Sequence, residues 1–201
     1  MSTFRYQKPL IIRLSDMLWG HKIIVCCLAM SLYFFGSSGY IHAKAVLAQY
    51  LIKDAWQHTL QNGQQTPPWA WADTFPVATL DINGERLYVL SGATGRTLAF
   101  APGHLQSTPL PGEQGNSVIT GHRDTHFSVL ASVQVNDVIA AQTTEGVSYY
   151  NVVSTRIVDE SNVSVIQNTS QGTLTLITCY PFNGLMPNTH LRWVVSAKRM
   201  P

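Results

Sequence analysis

The sequence predicts an all-β domain of eight strands, a barrel or a sandwich with short helices, preceded by an N-terminal transmembrane helix and an amphipathic linker helix. Three observations carry this. Ile23 to Ile41 is a 19-residue stretch without Asp, Glu, Lys, Arg or His, close to the roughly 20 apolar residues that cross a bilayer core. From Pro76 onward the helical period gives way to short runs of β-branched and aromatic residues separated by turn residues, the pattern of an all-β domain. The 201-residue chain is 45% hydrophobic and only 12% charged, about half the roughly 25% charge of ordinary soluble domains. Such a length suits one domain with an appendage, and the apolar content excludes a disordered chain.

The N-terminus sets the topology. Residues 1–22 carry Arg5, Lys8, Arg13 and Lys22 against Asp16, a net +3, so the overall +2 leaves −1 for everything beyond. Lys and Arg ahead of a span keep that end in the cytoplasm. The expected arrangement is a single-pass, type II protein of the inner (plasma) membrane with residues after 41 outside the cytoplasm. A cleaved signal peptide is the competing reading, since Ala43-Lys44-Ala45 resembles a cleavage site. The 22-residue lead-in and the 19-residue run are too long for it, the usual apolar centre being about 7–15 residues. An uncleaved anchor is therefore expected. With the tail's charge set aside, no basic patch remains that would bind nucleic acid.

Cysteine usage sharpens this. Cys26 and Cys27 lie inside the span, where adjacent cysteines behave as small hydrophobes. Cys179 is then alone on the outer side, and an unpaired thiol there is either an intermolecular link or a reactive group.

Beyond the span, Val46, Leu47, Tyr50, Leu51, Asp54, Ala55 and His58 recur at spacings of three and four, which predicts an amphipathic stalk helix. Gly63 and Pro67-Pro68 end it. Trp69 and Trp71 follow; tryptophans near a span fit the lipid interface, and they fit equally well a linker docked on the domain. The segments are thus 1–22, a cytoplasmic basic tail; 23–41, the signal-anchor; 42–75, stalk helix and linker; and 76–201, the β domain.

In that domain Val77–Ile82 and Arg86–Leu90 flank Asn83-Gly84, a hairpin signal. Further predicted strands are Thr97–Ala101, Ser117–Gly121, Asp137–Gln142, Val147–Val158, Thr173–Thr178 and Leu191–Ala197. Short helical turns are expected at Phe127–Val133 and Val163–Asn168. Gly103–Gly115, with Pro109, Pro111 and Gly112, reads as a loop.

Chemistry concentrates at strand ends. Alternation puts Thr175, Ile177 and Cys179 on one face of their strand, and Arg192, Val194 and Ser196 on one face of the last. A thiol of pKa about 8.5 is mostly protonated at neutral pH and needs a base or a cation to become a nucleophile. His122 ends another strand, after a glycine that permits close approach. Arg192 stays charged and presents a fork of donors suited to a substrate carbonyl or an oxyanion. From spacing alone, a buried structural Cys, a surface His and a solvated Arg explain the same residues. A metal reading needs His122 and His126 at helical spacing, and the strand ending at Gly121 argues against a helix through both. Gly92-Ala93-Thr94-Gly95-Arg96 lacks the Lys-Ser/Thr of a phosphate-binding loop.

Thr175-Leu176-Ile177-Thr178-Cys179 resembles the T-L-x-T-C signature of sortases, the membrane-anchored cysteine transpeptidases of bacteria. Thr120-Gly121-His122-Arg123 is similar to their T-G-H motif, and Leu191-Arg192 matches the strand-borne arginine that follows the cysteine. The resemblance covers roughly Pro76 to Lys198 and implies an eight-stranded sortase-type β-barrel. Pro68–Thr74 and Pro102-Gly103-His104-Leu105 resemble the proteobacterial, Gram-negative subgroup. The resemblance implies that Cys179 attacks the threonine carbonyl of an LPXTG-like sorting signal on a surface protein, with His122 handling the proton. Arg192 then contacts the substrate backbone, Thr178 helps shape the substrate pocket, and an amine acceptor of unknown identity resolves the thioester. No metal and no cofactor are implied. Asp124 and His126 match no catalytic role and are expected to be structural. A membrane-tethered, non-catalytic β-domain that binds a surface protein is the alternative. A cysteine hydrolase of another class fits less well: the Ser-His-Gly-Cys segment of L,D-transpeptidases is absent around Cys179, and papain-like enzymes place Cys before His.

Overall fold

The computed structural model describes residues 10–184 and 189–201, with side chains from residue 21 onward; Arg5 and Lys8 of the basic tail lie outside them. The chain divides into two compact units, Met1–Leu47 and Ala48–Pro201.

The first unit is helical as far as it is described. It belongs to α1 (Leu10–Asn62), one continuous helix through both the predicted span and the predicted linker helix. No proline lies between Leu10 and Asn62, so no ring or missing N–H interrupts the ladder. Ser37, in the weakly apolar Gly-Ser-Ser-Gly stretch, donates from Oγ to the Phe34 carbonyl (3.0 Å) within the helix. Among the described residues His21–Asn62 is the stretch long and apolar enough to cross a membrane. Ile23, Phe34, Phe35 and Ile41 on it are exposed.

In the second unit the last turns of α1 bury a stripe that shares only Ala55 with the predicted one. Ala48, Ile52, Ala55, Trp56 and Thr59 are buried, whereas Tyr50 is exposed, as are Val46 and Leu47 just before the unit begins. The predicted stripe carries Asp54 and His58, which pair with each other on the exposed side at 3.6 Å, whereas the buried stripe has no charged residue and meets the partner surface. Ile52 packs with Leu90 and Ala101, and Trp69, Tyr88 and Phe100 close around them. Burying such a side chain contributes about 1.5–3 kcal/mol. Trp69 therefore docks on the domain, its ring 5.0 Å from that of Phe100, while Trp71 stays 78% exposed.

The strands are β1 (Pro76–Ile82), β2 (Glu85–Ser91), β3 (Gly103–His104), β4 (Asn116–Thr120), β5 (Val138–Thr143), β6 (Gly146–Asp159), β7 (Thr173–Cys179) and β8 (Leu191–Arg199). They close a barrel in the order β1-β2-β3-β4-β7-β8-β6-β5. The hairpin turn between β1 and β2 is Asn83-Gly84, both at positive φ. The inward residues Leu80, Ile82, Val89, Ile119, Ile139, Val152, Leu174, Leu176 and Val195 fill the interior with Phe127 and Leu130. The predicted turns at Phe127–Val133 and Val163–Asn168 are 3-10 segments at Ser128–Ala131 and Val163–Ile166.

One predicted strand is absent. Thr97–Ala101 is not extended; Gly95–Leu98 forms the one-turn helix α2, capped by the Thr94 hydroxyl, which accepts from the Thr97 N–H. The third strand is instead Gly103–His104, the start of the predicted loop, pairing parallel with β2 and antiparallel with β4. A Cβ on Gly103 would lie 2.2 Å from the Gly92 carbonyl oxygen. This strand exists because its glycine lets two backbones meet, a signal that β-branched content does not carry.

The pairing of β4 with β7 is parallel, Thr120 opposite Ile177, and that of β7 with β8 antiparallel. The carboxyl ends of β4 and β7 and the start of β8 therefore meet at one end of the barrel.

Candidate active site

That end gathers the residues singled out above. Cys179 is the last residue of β7 and stands directly opposite Arg192 in the β7–β8 register, on the same face as Ile177 and Val194. Cross-strand partners have Cβ atoms about 4.5–5.5 Å apart. The β4–β7 register runs to Thr120 and Ile177, and the Gly121 N–H extends it by donating to the Ile177 carbonyl (3.2 Å). His122 and Cys179 are each two residues beyond that last pair, Cys179 as the last residue of β7 and His122 just past the end of its parallel neighbour β4. Cys179 is half-buried and His122 exposed; all three cysteines are thiols, none in a disulfide.

The backbone around His122 is fixed from both sides. Thr178, 2% exposed, donates from Oγ1 to the Gly121 carbonyl at 2.7 Å. The His122 carbonyl accepts from the N–H of Phe127 (3.0 Å), whose ring is in the core. Gly121 faces that ring so closely that a Cβ would lie 2.8 Å from Phe127 Cγ. Thr178 thus ties the strand of the cysteine to the residue preceding the histidine, and its hydroxyl points at the backbone.

Arg192 is half-buried and held on its far side. Its Nη2 donates to Glu160 Oε2 at 2.6 Å, and its Nη1 donates to the Thr189 and Leu191 carbonyls. His190 Nδ1 meets Glu160 Oε1 at 2.6 Å, and this carboxylate raises the His190 imidazole above its ordinary range.

Several neighbours escape sequence reasoning. Arg123, 4% exposed, donates from Nη2 to the Gly184 carbonyl (2.8 Å) and from Nε to Asp124 Oδ1 (3.3 Å). It pins Gly184 in the β7–β8 connection, and Asp124 serves as its partner. His126 is pushed below its ordinary value first by burial and then by His122; a hydrogen bond with the Phe100 carbonyl opposes the shift. The same carbonyl accepts from Gln49 Nε2 on α1 at 2.5 Å. Tyr180 stacks on Trp193 (5.9 Å, 20°), and Phe182 meets Trp193 edge-on (6.0 Å); Phe182 and Trp193 pack on the barrel core. A Tyr-Pro-Phe after Cys179 and a Trp after Arg192 were the available signals for these contacts. Nothing local signalled that Arg123 is buried, because its partner is 61 residues away. Among the described residues no group of three or more His, Cys, Asp or Glu could hold a metal ion.

A thiol, an imidazole and a guanidinium at one barrel end can carry out nucleophilic acyl transfer: attack, proton transfer and stabilisation of an oxyanion. Comparison with known proteins identifies a family. The family profile described as Sortase domain matches residues 79–200. Sortase D of Bacillus subtilis (strain 168) is 32% identical over 120 residues, 59% of this chain and 60% of the relative. Sortase A of Listeria monocytogenes is 34% identical over 107 residues, 51% of this chain and 46% of the relative. Among solved structures, a Clostridium perfringens sortase D5 transpeptidase superposes with a TM-score of 0.63 at 22% identity, covering 78% of this chain and 99% of that one. Listeria monocytogenes sortase A does so with a TM-score of 0.56 at 26% identity, covering 63% and 88%. The chain spans between about half and three fifths of the length of the two curated relatives.

Proposed function

The chain belongs to the sortase family, and from that premise we propose that it is a membrane-anchored cysteine transpeptidase that cleaves an LPXTG-like sorting signal and joins the protein to an amine. The register that sets Cys179 opposite Arg192, with His122 at the end of the parallel neighbour, is the observation that carries this reading. His122 takes the proton of the Cys179 thiol, the Sγ thiolate attacks the threonine carbonyl carbon, and the carbonyl electrons move onto oxygen. As the oxyanion collapses, the C–N bond breaks and His122 protonates the departing amine, leaving a thioester. Arg192 donates to the substrate backbone and the oxyanion. An incoming amine gives its proton to His122, forms the new amide and releases the thiolate; water in its place gives hydrolysis. Thr178 shapes the pocket from beneath by fixing Gly121.

The basic tail and the apolar helix support a type II, single-pass anchor in the plasma membrane, with the segments 1–22, 23–41, 42–75 and 76–201 as cytoplasmic tail, anchor, stalk and catalytic domain. The near-neutral outer part supports recognition by backbone pairing and a pocket more than by charge steering. Pro68–Thr74 and Pro102–Leu105 favour the Gram-negative subgroup, although the two curated relatives come from Gram-positive bacteria. The test is to incubate the full chain in detergent with a library of LPXTG-like peptides and amines, and to identify products by mass spectrometry. Amide-exchanged peptides are expected. Peptides left intact throughout, with the Cys179 thiol unmodified, would refute the proposal.

A further inference from the structure

Arg192 stands between two strands, opposite Cys179 on β7 and opposite Val158 on β6. A long side chain there can lean toward either neighbour, and a donor that must meet a developing oxyanion gains by being aimed in advance. The aiming comes from the turn after β6. Asp159 adds negative charge near Arg192 and His190, but its Oδ1 is held by the Ser161 N–H and hydroxyl (3.0 and 2.6 Å). Glu160 is available. Its own N–H donates to the His190 carbonyl at 2.7 Å, which ties it to the residues leading into β8. Its two carboxylate oxygens are then divided, Oε1 to His190 and Oε2 to Arg192, both at 2.6 Å.

We propose that Glu160 is a positioning residue for the transfer reaction, its carboxylate, braced by His190, holding the Arg192 guanidinium in place across the strand pair from Cys179. This rests on the reading of Cys179, His122 and Arg192 given above. The guanidinium is also anchored by Nη1 to the carbonyls of Thr189 and Leu191. The Thr189 hydroxyl in turn donates to the carbonyl of Tyr180 (2.6 Å), the residue after the cysteine. These bonds leave the Nε–H and one Nη2–H of Arg192 unengaged among the described residues, so the clamp fixes the fork while sparing donors for a substrate carbonyl. A half-exposed ion pair of this kind contributes little to stability. Its consequence is geometric.

The experiment is a double-mutant cycle on the full chain in detergent. It measures the single-turnover rate of Cys179 acylation by an LPXTG-like peptide for the wild type, Glu160→Ala, Glu160→Gln, Arg192→Ala and the double Ala variant. Glu160→Ala is expected to slow acylation roughly 10-fold, a part of the 10²–10³-fold loss typical of removing an oxyanion donor, with an unchanged melting temperature. Glu160→Gln, which keeps an acceptor oxygen, should be milder. In the Arg192→Ala background the Glu160 substitution should add nothing, because it acts through the missing side chain. Wild-type acylation by Glu160→Ala alongside a slow Arg192→Ala would overturn the role of Glu160 and leave the site reading standing. A full additional loss in the double variant would also overturn it. Wild-type acylation by Arg192→Ala would overturn both.

Discussion

Replacing Thr178 by Val removes one hydroxyl and almost no volume, and it tests how the barrel positions the candidate histidine. Thr178 is 2% exposed, and its Oγ1 reaches the carbonyl of the buried Gly121 at 2.7 Å. Removing the donor of a buried pair costs about 1–3 kcal/mol when the acceptor is left dry. Because Gly121 immediately precedes His122, relaxation of that carbonyl moves the imidazole relative to Cys179. A displacement near 1 Å can cost on the order of 10²-fold in rate. Thr178→Ser is the control: it keeps the hydroxyl and loses a methyl, worth about 0.5–1.5 kcal/mol by analogy with Ile→Val. Urea unfolding of the full chain in detergent measures the first quantity, and single-turnover acylation by a sorting-signal peptide the second. Both variants should lose stability, but only Thr178→Val should lose most of its acylation rate. If Thr178→Val acylates at the wild-type rate, or Thr178→Ser is the slower of the two, the hydrogen bond to Gly121 does not position His122.

Other perturbations follow from the same structure. Gly121→Ala would place a Cβ 2.8 Å from the core ring of Phe127; an overpacked site of this kind costs about 1–3 kcal/mol, read as a shifted urea midpoint, and wild-type stability would show that the ring yields freely. A chain shortened to begin at Gly63 loses Ile52 and Trp56, both buried, and should unfold at lower urea than one beginning at Ala48, each buried side chain removed costing about 2–5 kcal/mol; equal midpoints would refute the docking of α1. Burial pushes His104 below its ordinary value, opposed by its bond to the Pro109 carbonyl. A base that is harder to protonate when folded leaves the unfolded state binding more protons, so stability falls as pH drops below about 6.5. The stability gap between wild type and His104→Gln should therefore narrow between about pH 7.5 and pH 5, and a constant gap would contradict the assignment.

The strands that alternate or run continuously apolar, such as β4, β6, β7 and β8, were legible because half-buried extended backbone leaves a period in the sequence. The two-residue β3 left none, since what makes it a strand is a bare backbone at Gly103. The direction of α1's buried face was hidden for a related reason: Val46, Leu47 and Tyr50 make a second apolar run on the helix, and the cluster of Leu90 and Ala101 selects Ile52 over Tyr50. At the site, the thiol, imidazole and guanidinium stood out as residue types able to perform acyl transfer at strand ends. Their supports did not. Glu160 and Arg123 resemble ordinary surface charges, and their positions depend on partners 32 and 61 residues away in the chain, which no local pattern encodes.

The most direct test of the central claim is to expose the full-length wild type and Cys179→Ala, side by side in detergent, to one cleavable LPXTG-like peptide, and to follow both the peptide and the protein mass. The wild type should accumulate an acyl adduct that maps to Cys179 and is discharged by an added amine, while Cys179→Ala should show neither adduct nor cleavage. Full turnover by Cys179→Ala would contradict a thioester mechanism at this site.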